Sequence, residues 1–385
     1  VPAGEYRGLV EVTTSAGAVK VPLRLEVIDY RLPDPAALDL WLSLSHSPTQ
    51  LAYFYRVPHY SEAHWEKIET QMRLVAALGN HVLLVPVLWH ASHGSGPQMV
   101  TFQEVDGRLV PDFTLLDRYL PMVRRHYGPQ RLVVLGIWGR WMHDGNTSRL
   151  IDASLLRVTQ RQPDGTYTRL SLPADYQQHA DLWKAVYDGV AQRVQEHLGL
   201  PAEKIVLGFA DDRHPSAEVD TFWQRVAPRS PGWHAWTHHY DAPGPRPVLY
   251  EIVDIGSGEH DPAPDASAVR GGWNALDGPI LFLSTVRDSQ QDGVPPVGYF
   301  SVPDVAVGVQ KRGATVGLSR IGLDYWPKRV PLDHDPTRFR RDTGYNGGPY
   351  TAPGRVDRSK TTTLTVPGPH GPVPMLHYEA LHEGI

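Results

Sequence analysis

The sequence predicts an α/β fold: a (β/α)8 TIM-like barrel, preceded by an N-terminal β-hairpin or β-sandwich remnant and followed by a small C-terminal β element. Three observations carry this. Eight short apolar runs recur from residue 39 onward, each bounded by loop-type residues. Amphipathic helical stretches separate several of them. No Gly-rich phosphate loop follows an early run, which argues against a doubly wound sheet.

Residues 6–13 and 19–29 alternate polar and apolar positions, with Leu9, Val10 and Val12 answered by Val19, Val21, Leu23, Leu25 and Val27 across Ser15-Ala16-Gly17. This is the pattern of an antiparallel hairpin. A hairpin alone is marginal in water, so it is expected to belong to a β-sandwich or to pack on the barrel. Residues 1–36 are read as the end of an N-terminal β-domain and its linker. Residues 37–330 are read as the barrel, with strands at 40–45, 81–88, 131–138, 204–210, 233–238, 248–255, 279–286 and 315–323. Helices are expected at 61–78, 114–127, 176–198, 216–227 and 303–312, and the span between strands five and seven lacks clear helical periodicity. Insertions at 89–113, 139–175 and 256–278 follow strands two, three and six, on the face where barrel strands end. Residues 331–385 are a C-terminal loop and β element, a strand over 361–366 and another over 373–378 joined by a Pro- and Gly-rich turn. Both ends read as processing or fragment boundaries, and no signal peptide is visible.

The 385 residues suffice for one large barrel with additions. A formal net charge of −5 with mixed signs gives no reason to expect nucleic-acid binding, and no apolar run has membrane-spanning length. Cys is absent, which removes thiolate chemistry and disulfides. The 35 Pro and 35 Gly imply ordered turns and long loops, because apolar content stays normal. Eleven Trp and seventeen Tyr offer flat apolar faces that suit the C–H faces of sugars, although most aromatics in a chain of this size fill its core.

The most informative stretch is Ile205-Val206-Leu207-Gly208-Phe209-Ala210-Asp211-Asp212-Arg213-His214-Pro215. An apolar run ends in two adjacent carboxylates, a cation and an imidazole, and a helix-like segment follows. A buried parallel strand delivers charged groups to a barrel mouth in this way. Two acids there can protonate a leaving group and hold a developing positive charge, the two tasks of glycoside cleavage. An N-cap for the next helix is the structural alternative, but a cap needs one acid and not the whole cluster. If the barrel closes, the same mouth gathers His46, His90, Trp138, Arg140, His238, Tyr240, Glu251, Asp324, Tyr325 and Trp326. Carboxylates and imidazoles bind hydroxyls and indoles cover ring faces, so a polyhydroxylated substrate fits. Singly, His46 reads equally well as a hydrogen-bonded core histidine. The 19 His raise metal binding, but His90 with His93 and His238 with His239 are the only tight spacings, and neighbours on one strand point to opposite faces. No metal and no cofactor is expected.

Val1-Pro2-Ala3-Gly4-Glu5-Tyr6-Arg7-Gly8, Val21-Pro22-Leu23-Arg24-Leu25-Glu26-Val27 and Leu32-Pro33-Asp34 resemble the end of the N-terminal β-domain of glycoside hydrolase family 123 proteins. The stretch from Val316 to Pro327 resembles that group's final barrel strand. The stretch from Val366 to Pro374, with that from Glu379 to Ile385, resembles its C-terminal segment. The resemblance implies a secreted or periplasmic (β/α)8 hydrolase acting on β-linked N-acetylgalactosamine by substrate-assisted retention. In that scheme the sugar's acetamido oxygen attacks the anomeric carbon, an Asp steadies the oxazolinium and a neighbouring Glu is the general acid. The pair maps onto Asp211 and Asp212, with Asp212 standing where Glu is expected. Its shorter side chain sets the proton donor back by about an ångström, a displacement that can cost about a hundredfold in rate. Arg213 lowers the pKa of a neighbouring carboxylate unless burial outweighs it, and Glu251 and Asp324 are the reserve acids. The expected partner is an oligo- or polysaccharide. The alternatives are a non-catalytic carbohydrate-binding protein on a decayed barrel and a polysaccharide lyase on the same scaffold.

Overall fold

The computed structural model describes residues 1–15, 17–30, 41–91, 94–138, 155–210, 215–235, 248–252, 281–284, 315–323, 328–332, 335–342, 364–375, 378–379 and 381–382. In chain order the strands and α-helices are β1 (Gly4–Thr14), β2 (Gly17–Val27), β3 (Trp41–Ser45), α1 (Pro48–Tyr55), α2 (Glu62–Ala77), β4 (Val82–Pro86), β5 (His90–Ala91) and β6 (Gly94–Ser95). Then come β7 (Thr101–Val105), β8 (Arg108–Asp112), α3 (Thr114–Tyr127), β9 (Leu132–Gly136), β10 (Leu155–Arg161), β11 (Tyr167–Pro173), α4 (Ala180–Leu198), β12 (Ile205–Ala210), α5 (Ala217–Val226) and β13 (Trp233–Ala235). The last are β14 (Val248–Ile252), β15 (Leu281–Ser284), β16 (Thr315–Gly322), β17 (Lys328–Leu332), β18 (Asp335–Asp342), β19 (Thr365–Pro367) and β20 (Pro372–Pro374).

The centre is one eight-stranded sheet in the order β3-β16-β15-β14-β13-β12-β9-β4. Every pairing within it is parallel. Its strands fall within the eight stretches expected from sequence. All five residues of β9 are buried, as are Ile205, Val206 and Leu207 of β12, because a parallel sheet covered on both faces needs apolar side chains on both. The end strands β3 and β4 are bridged. The N–H of His81 donates to the Leu42 carbonyl at 2.9 Å, and the Leu44 N–H donates to Asn80 Oδ1 at 2.8 Å. Asn80 is buried and its amide also donates to the Val82 carbonyl, so one side chain fixes both edges.

Helices α2, α3, α4 and α5 fill the crossovers expected at 61–78, 114–127, 176–198 and 216–227, and α1 is an additional short helix. The expected helix at 303–312 and the insertion at 256–278 lie outside the described residues. The other two insertions fold together. β7 and β8 come from the first and β10 and β11 from the second, in a four-stranded sheet of order β11-β10-β7-β8, with β10 and β7 parallel. The Trp89 N–H donates to the Arg157 carbonyl at 2.7 Å, which ties this sheet to the loop leaving β4. The β1–β2 hairpin is antiparallel as expected, with Val10 opposite Val21, but apolar residues including Leu9, Val10, Leu23 and Leu25 are exposed on both faces. The C-terminal strands β19 and β20 pair antiparallel, with Val366 opposite Val373.

A glycine sits inside α4 where helix propensity favours Ala by about 1 kcal/mol. A Cβ on Gly189 would lie 2.2 Å from Phe113 Cζ, and that ring is held by the Arg193 guanidinium 4.1 Å above it. Steric overlap therefore outweighs propensity. Gly189→Ala is expected to destabilise the fold by about 1–3 kcal/mol in urea titration, against its helix propensity; a stabilised variant would contradict this packing.

The turn before α2 depends on a neutral imidazole. His64 Nδ1 accepts the Tyr60 N–H at 2.7 Å, so Nε2 carries the proton and donates to the Pro48 carbonyl at 2.7 Å. Tyr60 holds φ at 59°, and the bond to His64 supports that strained turn. Burial lowers the His64 pKa to about 4, against the opposing pull of the Pro48 carbonyl. An unfolded imidazole titrates near about 6.5, so between these values the unfolded chain holds more protons. The stabilisation is complete above the unfolded value and is lost as pH falls toward the folded one. Urea midpoints are expected to drop from about pH 7 to about pH 4.5, with a shallower drop in His64→Gln. An identical pH slope in that variant would remove His64 from the effect.

Candidate functional site

Because the eight strands are parallel, their C-terminal ends share one side of the sheet. Two glycine carbonyls organise part of that side. The Gly136 carbonyl at the end of β9 accepts the N–H groups of Val87 and Leu88 at 2.9 and 3.3 Å. The Gly208 carbonyl in β12 accepts those of Ile137 and Trp138 at 2.8 and 2.9 Å. Each strand is thus held by its neighbour for two residues past its last ladder position. A Cβ on Gly208 would lie 2.6 Å from Val134 Cγ1, so the close approach of β12 to β9 requires glycine there.

Trp138 is buried and meets Trp233 edge-on, ring centroids 6.2 Å apart. The Trp233 indole N–H donates to the buried Asp220 carboxylate at 2.7 Å, which anchors β13 to α5. Tyr176 donates its hydroxyl to the Ile137 carbonyl at 2.6 Å, the residue before Trp138. Sequence reading missed Asp220 and Tyr176 as supports. For Asp220 the signal was present: a carboxylate on the same helical face as Trp223 and Ala227, both apolar.

His46 follows β3 directly. Its Nε2 lies 2.7 Å from the Tyr119 hydroxyl and 3.2 Å from the Tyr127 hydroxyl, both on α3. Nδ1 is buried and has no hydrogen-bond partner among the described residues. Burial lowers the pKa to about 4, so the ring is neutral at physiological pH. These contacts hold the part-buried His46 ring between two phenols.

Asp211, Asp212, Arg213, Arg140, His238, Tyr240, Asp324, Tyr325 and Trp326 lie outside the described residues. What is described is where their chain segments begin. β12 ends at Ala210, immediately before Asp211, and α5 begins after Ser216, whose hydroxyl caps it by accepting the Val219 N–H. The N-cap role thus belongs to Ser216. β13 ends at Ala235, Leu323 precedes Asp324, and Trp138 stands two residues before Arg140. Glu251 lies within β14 opposite Phe282 of β15, and His90 begins β5. Among the described residues no three His, Asp or Glu side chains gather to hold a metal ion, and no helix is long and apolar enough to cross a membrane.

The family model of the glycoside hydrolase 123 catalytic domain matches residues 46–234. No curated protein matches the chain. Twelve chains of solved structures do. One is a family 123 glycoside hydrolase from Clostridium perfringens, whose structural analysis concerned glycolipid glycan hydrolysis. It is 12% identical with a TM-score of 0.65, over 100% of this chain and 65% of that chain. The chain therefore spans somewhat less than two thirds of the length of that structure, and at this identity the likeness is one of fold. The chain is thus similar to the glycoside hydrolase 123 catalytic domain over residues 46–234 and shares the fold of a family 123 glycoside hydrolase.

Proposed function

We propose that the chain is a glycoside hydrolase that cleaves a β-linked glycan at an N-acetylhexosamine, on a sheet that closes into a (β/α)8 barrel. The observation that carries this reading is the place of β12. It is an interior strand of the parallel sheet, it lies within the matched family segment, and its last residue, Ala210, leads straight into Asp211-Asp212. Closure is supported by the bridge between the end strands through His81 and Asn80. The glycan hydrolysis attributed to the Clostridium perfringens protein of the same fold supports the substrate class.

In this reading the substrate's acetamido oxygen bonds to the anomeric carbon while the bond to the leaving oxygen breaks with its electron pair. Asp212 gives its proton to that oxygen. Asp211 accepts a hydrogen bond from the acetamido N–H and offsets the charge of the oxazolinium. A water then gives its proton to Asp212 and its oxygen to the anomeric carbon, which reopens the ring with retention. His238, Tyr240, Asp324, Tyr325 and Trp326, whose segments follow β13 and β16, are assigned to sugar hydroxyls and ring faces, with Arg140 and Arg213 beside them. His46, held by Tyr119 and Tyr127, is assigned to supporting the site and not to proton transfer, because a ring neutral down to about pH 4 donates poorly.

A general acid matters most when the leaving group is a poor one. Asp212→Ala is expected to lower kcat on a natural oligosaccharide by about a hundredfold or more, and by much less on 4-nitrophenyl N-acetyl-β-D-galactosaminide, whose phenolate leaves without protonation. Asp211→Asn is expected to depress both substrates alike. Equal losses on both substrates in Asp212→Ala would take the proton-donor role from that residue, and unchanged turnover in both variants would sink the assignment of the pair.

A further inference from the structure

A groove of about 740 Å³ lies between the turn before α4 and the first turns of α5. This is within the roughly 300–1,000 Å³ typical of small-molecule sites. Its position follows from connectivity. α5 starts on the side of the sheet where β12 ends, and Tyr176 is bonded to the carbonyl of Ile137, the first residue past β9. The groove therefore stands on the side of the sheet where β12 ends.

Its floor is rigid. Tyr176 and Phe222 stack with centroids 5.4 Å apart and planes 25° from parallel, and both are buried. Tyr176 is further wedged edge-on against Trp183 and Trp223. The rim is polar and exposed. Asp175 Oδ1 accepts the Gln177 N–H at 3.0 Å, which shapes the turn. Gln177 Oε1 accepts from Arg225 at 2.5 Å, so the amide nitrogen remains as a donor facing solvent. Across the groove stand Glu218 and Thr221. The Glu218 carboxyl is held below the usual range by its own N–H and by the Ser216 hydroxyl, so it is ionised at neutral pH. The described lining residues include two carboxylates, and the Arg225 guanidinium, bonded to Gln177 and 5.6 Å over the Phe222 ring, stands at the same wall.

We propose that this groove is an outlying carbohydrate subsite that takes an uncharged sugar unit of the substrate, beyond the unit at the cleaved bond. Acceptors at Asp175 and Glu218, a donor at Gln177 and a hydroxyl at Thr221 match the alternating donors and acceptors of a hexopyranose. Two carboxylates against the single Arg225 guanidinium leave the described rim net negative, which disfavours a sialic or uronic acid at this position. The proposal rests on the hydrolase reading for the identity of the substrate and on the groove alone for the place of binding.

The test compares a neutral tetrasaccharide ending in β-linked N-acetylgalactosamine with 4-nitrophenyl N-acetyl-β-D-galactosaminide, on the full chain. Thr221→Trp, which fills the groove from an exposed helix position, is expected to lower the tetrasaccharide-to-aryl ratio of kcat/KM about fivefold, mainly through KM of the tetrasaccharide. Gln177→Ala, which removes the donor without adding bulk, is expected to shift the ratio in the same direction. An unchanged ratio in both variants overturns the subsite. If the unmodified chain hydrolyses neither compound, the hydrolase reading fails, and calorimetric titration of the same tetrasaccharide decides the groove. Binding weakened about fivefold by Thr221→Trp supports it, and binding that is absent or indifferent to both variants overturns it.

Discussion

The functional side of this protein depends on a backbone arrangement repeated across neighbouring strands: a carbonyl that accepts two N–H groups beyond the end of the adjoining strand. Gly136 does this for Val87 and Leu88, and Gly208 does it for Ile137 and Trp138. Without these bonds the chain leaving β4 and β9 would carry buried, unsatisfied donors. With them the strand tips stay in register past the sheet, and Trp138 is placed by main-chain geometry, not by its own side chain. Gly208 has no side chain because Val134 occupies the space one would need.

A block of aromatic rings supports this arrangement from outside the sheet. Tyr176, Phe222, Trp223, Trp183 and Phe102 touch in sequence, and Trp138 meets Trp233, which is bonded to Asp220 on α5. All seven of these rings are buried. These rings, part of the aromatic excess that points toward sugar stacking in the sequence, are therefore structural mortar between α4, α5 and the sheet. It contributes to recognition indirectly, by stiffening the wall on which polar rim groups stand.

The sheet was legible in the sequence because each buried parallel strand is an apolar run too short for a helix and stopped by turn residues. The crossover helices were legible from their amphipathic period. The four-stranded insertion sheet was not, because its central contact joins β7 and β10, short strands from insertions separated by α3 and β9, and no local pattern encodes that pairing. The exposed faces of the β1–β2 hairpin were equally hidden, since alternation reports a capacity to pack and not a partner. At the site, the apolar run before Asp211-Asp212 marked β12 as a buried strand of the parallel sheet. The supports Tyr119, Tyr127 and Tyr176 went unnoticed because a tyrosine on a helix reads the same whether its hydroxyl meets water, a histidine or a carbonyl.

The histidines show how composition and architecture diverge. Nineteen imidazoles invite the thought of metal coordination. Burial makes His46 and His64 neutral, which is the form a metal requires. Yet both have given their Nε2 to the protein, His46 to the phenols of α3 and His64 to the Pro48 carbonyl, and His64 has given its Nδ1 to the Tyr60 N–H. The His64 ring, with both nitrogens engaged, can take an ion only by breaking the turn it holds. These two side chains therefore act as uncharged connectors between layers. Their low proton affinity keeps those connections intact in acid well below the pH at which an exposed imidazole would charge and let go.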